Sequence, residues 1–178
     1  MAMNMLPYEQ GYLDGLCGVY SIINATRLLV KTISEEKCMK LFRECLTHME
    51  KKKSLSKVIT AGISKSEVLS ILKNVVMVNY SITCKNPFRG VNKMNVEDFF
   101  GEIQTFLEAD EKRAVIVGFY CPDWDHWTVI RSVSPKRVSL FDSSMMKTIN
   151  ISRCALGKKS KGKPYKFVLK ETFFLSDH

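Results

Sequence analysis

The sequence predicts an α+β domain, with helices first and an antiparallel sheet after them. Three observations carry this expectation. In the first part of the chain, apolar residues recur at spacings of three and four, the period of helices buried along one stripe. From Ala114 onward the apolar runs shorten and fill with β-branched and aromatic residues. The segment Ser134-Pro135-Lys136-Arg137 separates two such runs, as the turn of a hairpin does. With 178 residues, 46% of them hydrophobic, the chain has the size and apolar content of one domain, 1–178, with a substantial core.

The elements follow in order. Gly11, Gly15 and Gly18 punctuate a loop that runs into the first helix, whose stripe is Val19, Ile22, Ile23, Thr26, Leu29 and Val30. Ser34 is placed to cap a second helix reaching about Lys52, with Cys38, Leu41, Phe42, Cys45, Leu46 and Met49 on its apolar side. Ser64 and Glu67 have capping-box spacing ahead of Val68, Leu69, Ile71 and Leu72. Val75 to Thr83 is rich in β-branched residues and predicts a strand. Pro87 and Gly90 mark a loop, and Asn95 caps a helix carrying Phe99, Phe100, Ile103, Phe106 and Leu107. Predicted strands then run over Ala114–Tyr120, Trp127–Val133, Val138–Asp142, Met146–Ile151 and Lys166–Leu175.

Composition narrows the functional classes. There is no apolar run of the length that spans a bilayer, and no basic segment followed by an apolar one at the N-terminus, so neither a membrane helix nor a secretory signal is expected. The six cysteines lack zinc-ligand spacing, and a chain with this core needs no disulfide staples, so a reducing, cytoplasm-like compartment and no metal are expected. The net charge of +9 is concentrated in Lys51-Lys52-Lys53 with Lys57, and in Lys158, Lys159, Lys161, Lys163 and Lys166. These clusters keep the protein soluble or attract an acidic partner. No nucleic-acid recognition motif accompanies them.

Cys17 falls at the junction of the glycine loop and the first helix. The unpaired N–H groups and dipole of a helix start favour a thiolate there and can also hold an oxyanion. Of the three histidines, His178 ends the chain and His48 lies off its helix's apolar stripe. His126 remains, in Trp124-Asp125-His126-Trp127-Thr128-Val129-Ile130, where a loop enters a buried strand. Asp142 ends the strand paired with it, so an antiparallel hairpin brings the two to one end of the sheet. A carboxylate there orients the imidazole and stabilises its protonated form. Asp125, adjacent to His126, points to the opposite face of a strand. Of Trp124 and Trp127, one is expected in the core and the other over the site.

The order Cys17, His126, Asp142 on a helix-then-sheet chain resembles papain-like cysteine peptidases. The Cys-Gly pair before an apolar helix, His-Trp-Thr-Val-Ile and the Leu-Phe-Asp strand end look most like bacterial peptidase domains that cleave double-glycine leader peptides. The resemblance implies a papain-like fold and a thiol protease without a cofactor. Papain-like enzymes carry an oxyanion glutamine six positions ahead of the cysteine; here that position is Gly11, and Gln10 stands one further back. Either Gln10 takes the role across a bulged loop, or Asp14 shapes a loop whose backbone does so, in a run similar to ovarian-tumour-type deubiquitinases. Deamidase and deubiquitinase activities use the same triad, and a free-standing basic domain of this kind suits an effector acting in another cell's cytosol. A protein-binding module that kept the fold is the alternative of a different class.

Overall fold

The computed structural model describes residues 5–121 and 124–177. His178, expected to be frayed, and Asp123 lie outside the described residues. Helices occupy the N-terminal part and a largely antiparallel sheet the C-terminal part, as an α+β chain requires.

Helix α1 spans Cys17–Leu29 and α2 spans Glu35–Glu50, the latter capped by the Ser34 side chain on the Lys37 N–H. A helix absent from the sequence expectation, α3, covers Leu55–Ala61. Helix α4, Lys65–Ile71, begins with the expected Ser64–Glu67 capping box. The expected strand over Val75–Thr83 does not form. Helix α4 instead runs on through a π-helical turn, Leu72–Val76, and a last turn α5, Met77–Asn79. Leu72, Val75 and Val76 bury against α1 and α2, and that apolar burial outweighs β-branched preference. Only Ile82–Lys85 extends, as β1. Helix α6, Val96–Glu108, is capped by Asn95 on the Asp98 N–H.

The remaining strands are β2 (Arg113–Tyr120), β3 (Asp125–Val133), β4 (Arg137–Leu140), β5 (Thr148–Asn150), β6 (Cys154–Ala155) and β7 (Tyr165–Asp177). The sheet order is β1-β7-β2-β3-β4-β5, with β6 alongside β7 as its one parallel pair. The final strand therefore lies inside the sheet rather than at its edge. Strand β4 is shorter than expected, and Asp142 stands in the turn just beyond it.

Two apolar layers enclose the sheet. Helices α1, α2 and α4 pack on Ala114, Ile116, Trp127, Val129 and Phe173. Helix α6 packs Phe99, Phe100 and Ile103 on Val115, Val117, Phe119 and Phe167. Alternate residues of β2 thus serve opposite layers, the period of a strand buried on both faces. Among the described residues no disulfide is formed, and no helix is long and apolar enough to cross a membrane.

Candidate active site

Cys17 is the first residue of α1, at the floor of an open cleft of about 590 Å³. Its position depends on Gly18. A β-carbon there would come within 2.6 Å of the Ile63 side chain and 3.3 Å of Trp127, so only glycine lets the helix start press against these residues. Leu16, the cap residue of α1, offers no side-chain acceptor, which leaves the first-turn N–H groups without a capping side chain.

The imidazole of His126 lies opposite. Strand β3 pairs with β2 so that His126 faces Phe119, whose ring stands edge-on at 5.6 Å. Trp124 contacts the imidazole at 4.5 Å and is 42% exposed, so it shields the ring from solvent. Trp127 goes the other way. It stacks on Phe173 in the core, and its indole N–H donates to the Ile63 carbonyl at 3.1 Å. The two tryptophans divide as the sequence predicts.

His126 Nε2 bonds Asp142 Oδ1 at 2.5 Å, with both side chains fully buried. The other carboxylate oxygen accepts from the N–H groups of Ser144, 2.9 Å, and Met146, 3.2 Å. Burial works against charge on Asp142, but the His126 bond, the Thr128 hydroxyl and the Ser144 N–H hold its pKa below the ordinary value. Burial likewise opposes charge on His126, and here too the partners win: the Asp142 bond and the Cys17 sulfur raise the imidazole to about 9. With Nε2 committed to Asp142, the interaction with Cys17 falls to Nδ1. That nitrogen is buried and has no partner in strict hydrogen-bond geometry, so the sulfur neighbours it without capturing it.

Gln10 and Asp14 both help to build the loop ahead of Cys17, by different bonds. The Asp14 carboxylate accepts from Gly11 N–H at 2.7 Å and Leu16 N–H at 3.0 Å. It is an acceptor that folds the loop. Gln10 lines the cleft together with Cys17 and His126. Its Oε1 accepts from the Ser143 hydroxyl at 3.1 Å, and its backbone N–H donates to the Ser143 carbonyl at 3.0 Å. The amide NH₂ thereby remains as the donating end, with one long bond to the Asp14 carbonyl at 3.4 Å.

Several supporting residues carry no sequence motif. Ser143 reads as a turn residue after Asp142, yet it anchors Gln10. Asn24, wholly buried on α1, clamps the Tyr8 backbone through both ends of its amide, 2.8 and 3.0 Å. A polar residue inside an apolar stripe was the available signal. Gly62 forms the far wall at φ +69°, against Gly15, whose N–H donates to Ile59 O at 2.6 Å. Lys53, part of a basic cluster in the sequence, is engaged here, bonding Gly62 O at 2.8 Å and Glu67 at 3.1 Å. His48 bonds Ser70 away from this cleft.

Among the described residues no three His, Cys, Asp or Glu side chains converge as metal ligands. No family model matches the chain, and no curated protein matches it in sequence.

Proposed function

We propose that this protein is a papain-like thiol hydrolase that cleaves an amide bond in a peptide or protein substrate. The observation that carries the reading is His126, bonded through Nε2 to a buried carboxylate and turned through its unpartnered Nδ1 to the cysteine at a helix start. His126 holds its proton to about pH 9, which suits an imidazolium beside a thiolate. The sulfur attacks the carbonyl carbon, and negative charge moves to the oxygen. The Cys17 N–H and the Gln10 amide are the donors for that oxyanion. His126 passes its proton to the leaving nitrogen as the C–N bond breaks. Water, deprotonated by His126, then attacks the thioester, releasing the acid and restoring the thiolate.

The other cysteines supply the contrast for a test. Burial raises Cys45 and Cys154 to about 12 and Cys84 to about 11, so these thiols are inert near neutral pH. Iodoacetamide near pH 6 should label Cys17 first, and His126→Ala should abolish that selectivity. Substrate proteins treated with wild type should carry new chain ends that the Cys17→Ala variant does not produce. Conversion of a glutamine amide to an acid without cleavage would mark a deamidase with the same triad. Uniformly slow labelling would overturn the reading.

A further inference from the structure

The same cleft contains a carboxylate that the triad does not use. In the middle of β7, the pairing with β2 slips: Val117 opposes Thr172 and Phe119 opposes Phe167, so Val168 to Glu171 stand where β2 has Gly118 alone. The bulge is closed by the Thr172 hydroxyl on Val168 O, 3.1 Å, and by Asn86 Nδ2 on Lys170 O, 3.0 Å. Its last residue, Glu171, reaches into the cleft that holds Cys17 and His126. The carboxylate lies over Gly118, where a β-carbon would come within 2.6 Å of Oε2. Bulges often re-aim a side chain at a functional site, and the missing side chain of Gly118 makes room for this one.

Glu171 is half-buried and in no ion pair or hydrogen bond among the described residues. Burial raises its pKa most; Lys170 and Lys65 draw it back, and Asp125 pushes it up again. Glu171 is also the largest influence raising the Tyr120 phenol, which places the two side by side in the cleft wall. Trp124 and Asp125 belong to the same wall. Lys65 also lines the cleft and Lys166 stands over the Tyr120 ring at 5.7 Å, but neither forms an ion pair with Glu171 among the described residues. Aromatic faces and an unpaired carboxylate together are a surface that binds a positive charge.

We propose that Glu171 is a specificity-determining residue of this cleft, binding the cationic side chain of a lysine or arginine in the peptide presented to Cys17. The inference rests on the thiol-hydrolase reading. A guest cation would restore the charge balance that half-burial disturbs, and the adjoining tyrosine and tryptophan rings would cover its aliphatic stem. Of the basic clusters, Lys53 is already paired with Glu67 and Lys166 stands over the Tyr120 ring, so neither is ion-paired with Glu171.

The test uses peptides bearing a cysteine-reactive group at the C-terminus, with arginine or its neutral isostere citrulline at the first or second residue. The arginine form should inactivate the wild type faster by about tenfold or more, the effect of one charge-assisted hydrogen bond. Glu171→Gln should bring the two rates within about twofold by the same arithmetic. Gly118→Ala provides a second route, because its methyl displaces the carboxylate without removing the charge; it should also erode the preference. Equal rates for arginine and citrulline at both positions in wild type, or a preference that survives Glu171→Gln, would overturn the assignment. Selective iodoacetamide labelling of Cys17, measured in parallel, separates the outcomes. If labelling is selective and the preference absent, only the role of Glu171 falls; if labelling is unselective, the thiol-hydrolase reading falls and this inference with it.

Discussion

The two sides of the cleft are held by different means. His126 and Asp142 are sixteen positions apart and belong to one hairpin, so strand pairing and a short turn suffice to bring them together. Cys17 and Gln10 are neighbours in sequence, yet their placement depends on residues far along the chain. Gln10 is held by Ser143, Gly15 by Ile59, and Gly18 makes room for Ile63 and Trp127. The His126–Asp142 pair is locally encoded, whereas the placement of Cys17 and Gln10 is set by tertiary contact. The turn after β4 joins the two, since Asp142 bonds the imidazole and Ser143 anchors the glutamine.

The largest effect should come from breaking the hairpin side. Asp142→Ala leaves a buried imidazole without its acceptor, and hydrolysis should fall by about 10³-fold. Unfolding free energy should fall by about 3–5 kcal/mol in urea titrations, the cost of removing one member of a buried pair. On the loop side, Gln10→Ala should lower kcat by roughly 10²-fold with little change in KM, as loss of one oxyanion donor does. Ser143→Ala should give a smaller loss of the same kind, about tenfold at most, because the anchor goes and the donor stays. If Ser143→Ala left kcat untouched, the loop would not need that anchor.

Gly62→Ala probes the far wall. Its φ of +69° and a β-carbon contact of 2.6 Å with the Gly15 carbonyl oxygen oppose any side chain. A stability loss of about 1–3 kcal/mol is expected from thermal denaturation, together with a modest fall in rate as Gly15 shifts.

The smallest effect at neutral pH, and the one that couples the two sides, is the titration of His126. Its folded pKa of about 9 exceeds the ordinary 6.5, so the protonated ring stabilises the fold in full below about pH 6.5. That contribution is lost as the pH rises through about 9, and turnover should decline on the same limb. Cys17 is among the groups that raise this value, so Cys17→Ala should move the titration to lower pH. Ring-proton NMR of the two proteins measures the shift, and identical curves would mean that the sulfur and the imidazole do not interact.

Legibility in the sequence tracks the same division. Periodicity and caps located α1, α2, α4 and α6, because apolar stripes and Ser34, Ser64 and Asn95 act within a few residues. The strand expected over Val75–Thr83 failed for the opposite reason. Isolated propensity favours extension there, but continuing α4 buries Leu72, Val75 and Val76 together. Helix α3 and the bulge of β7 gave no local signal, since one is a short turn of mixed residues and the other exists only against Gly118.

By itself, the sequence determined the α+β layout and the pairing of His126 with Asp142, since helix period, strand alternation and hairpin pairing act over short distances. Tertiary structure decided what those residues could do together. It put β7 inside the sheet, committed Nε2 of His126 to Asp142, tied Gln10 to Ser143, and brought Glu171 into the cleft. Each of these depends on contacts between segments that approach only when the core closes, and no local pattern encodes such an approach.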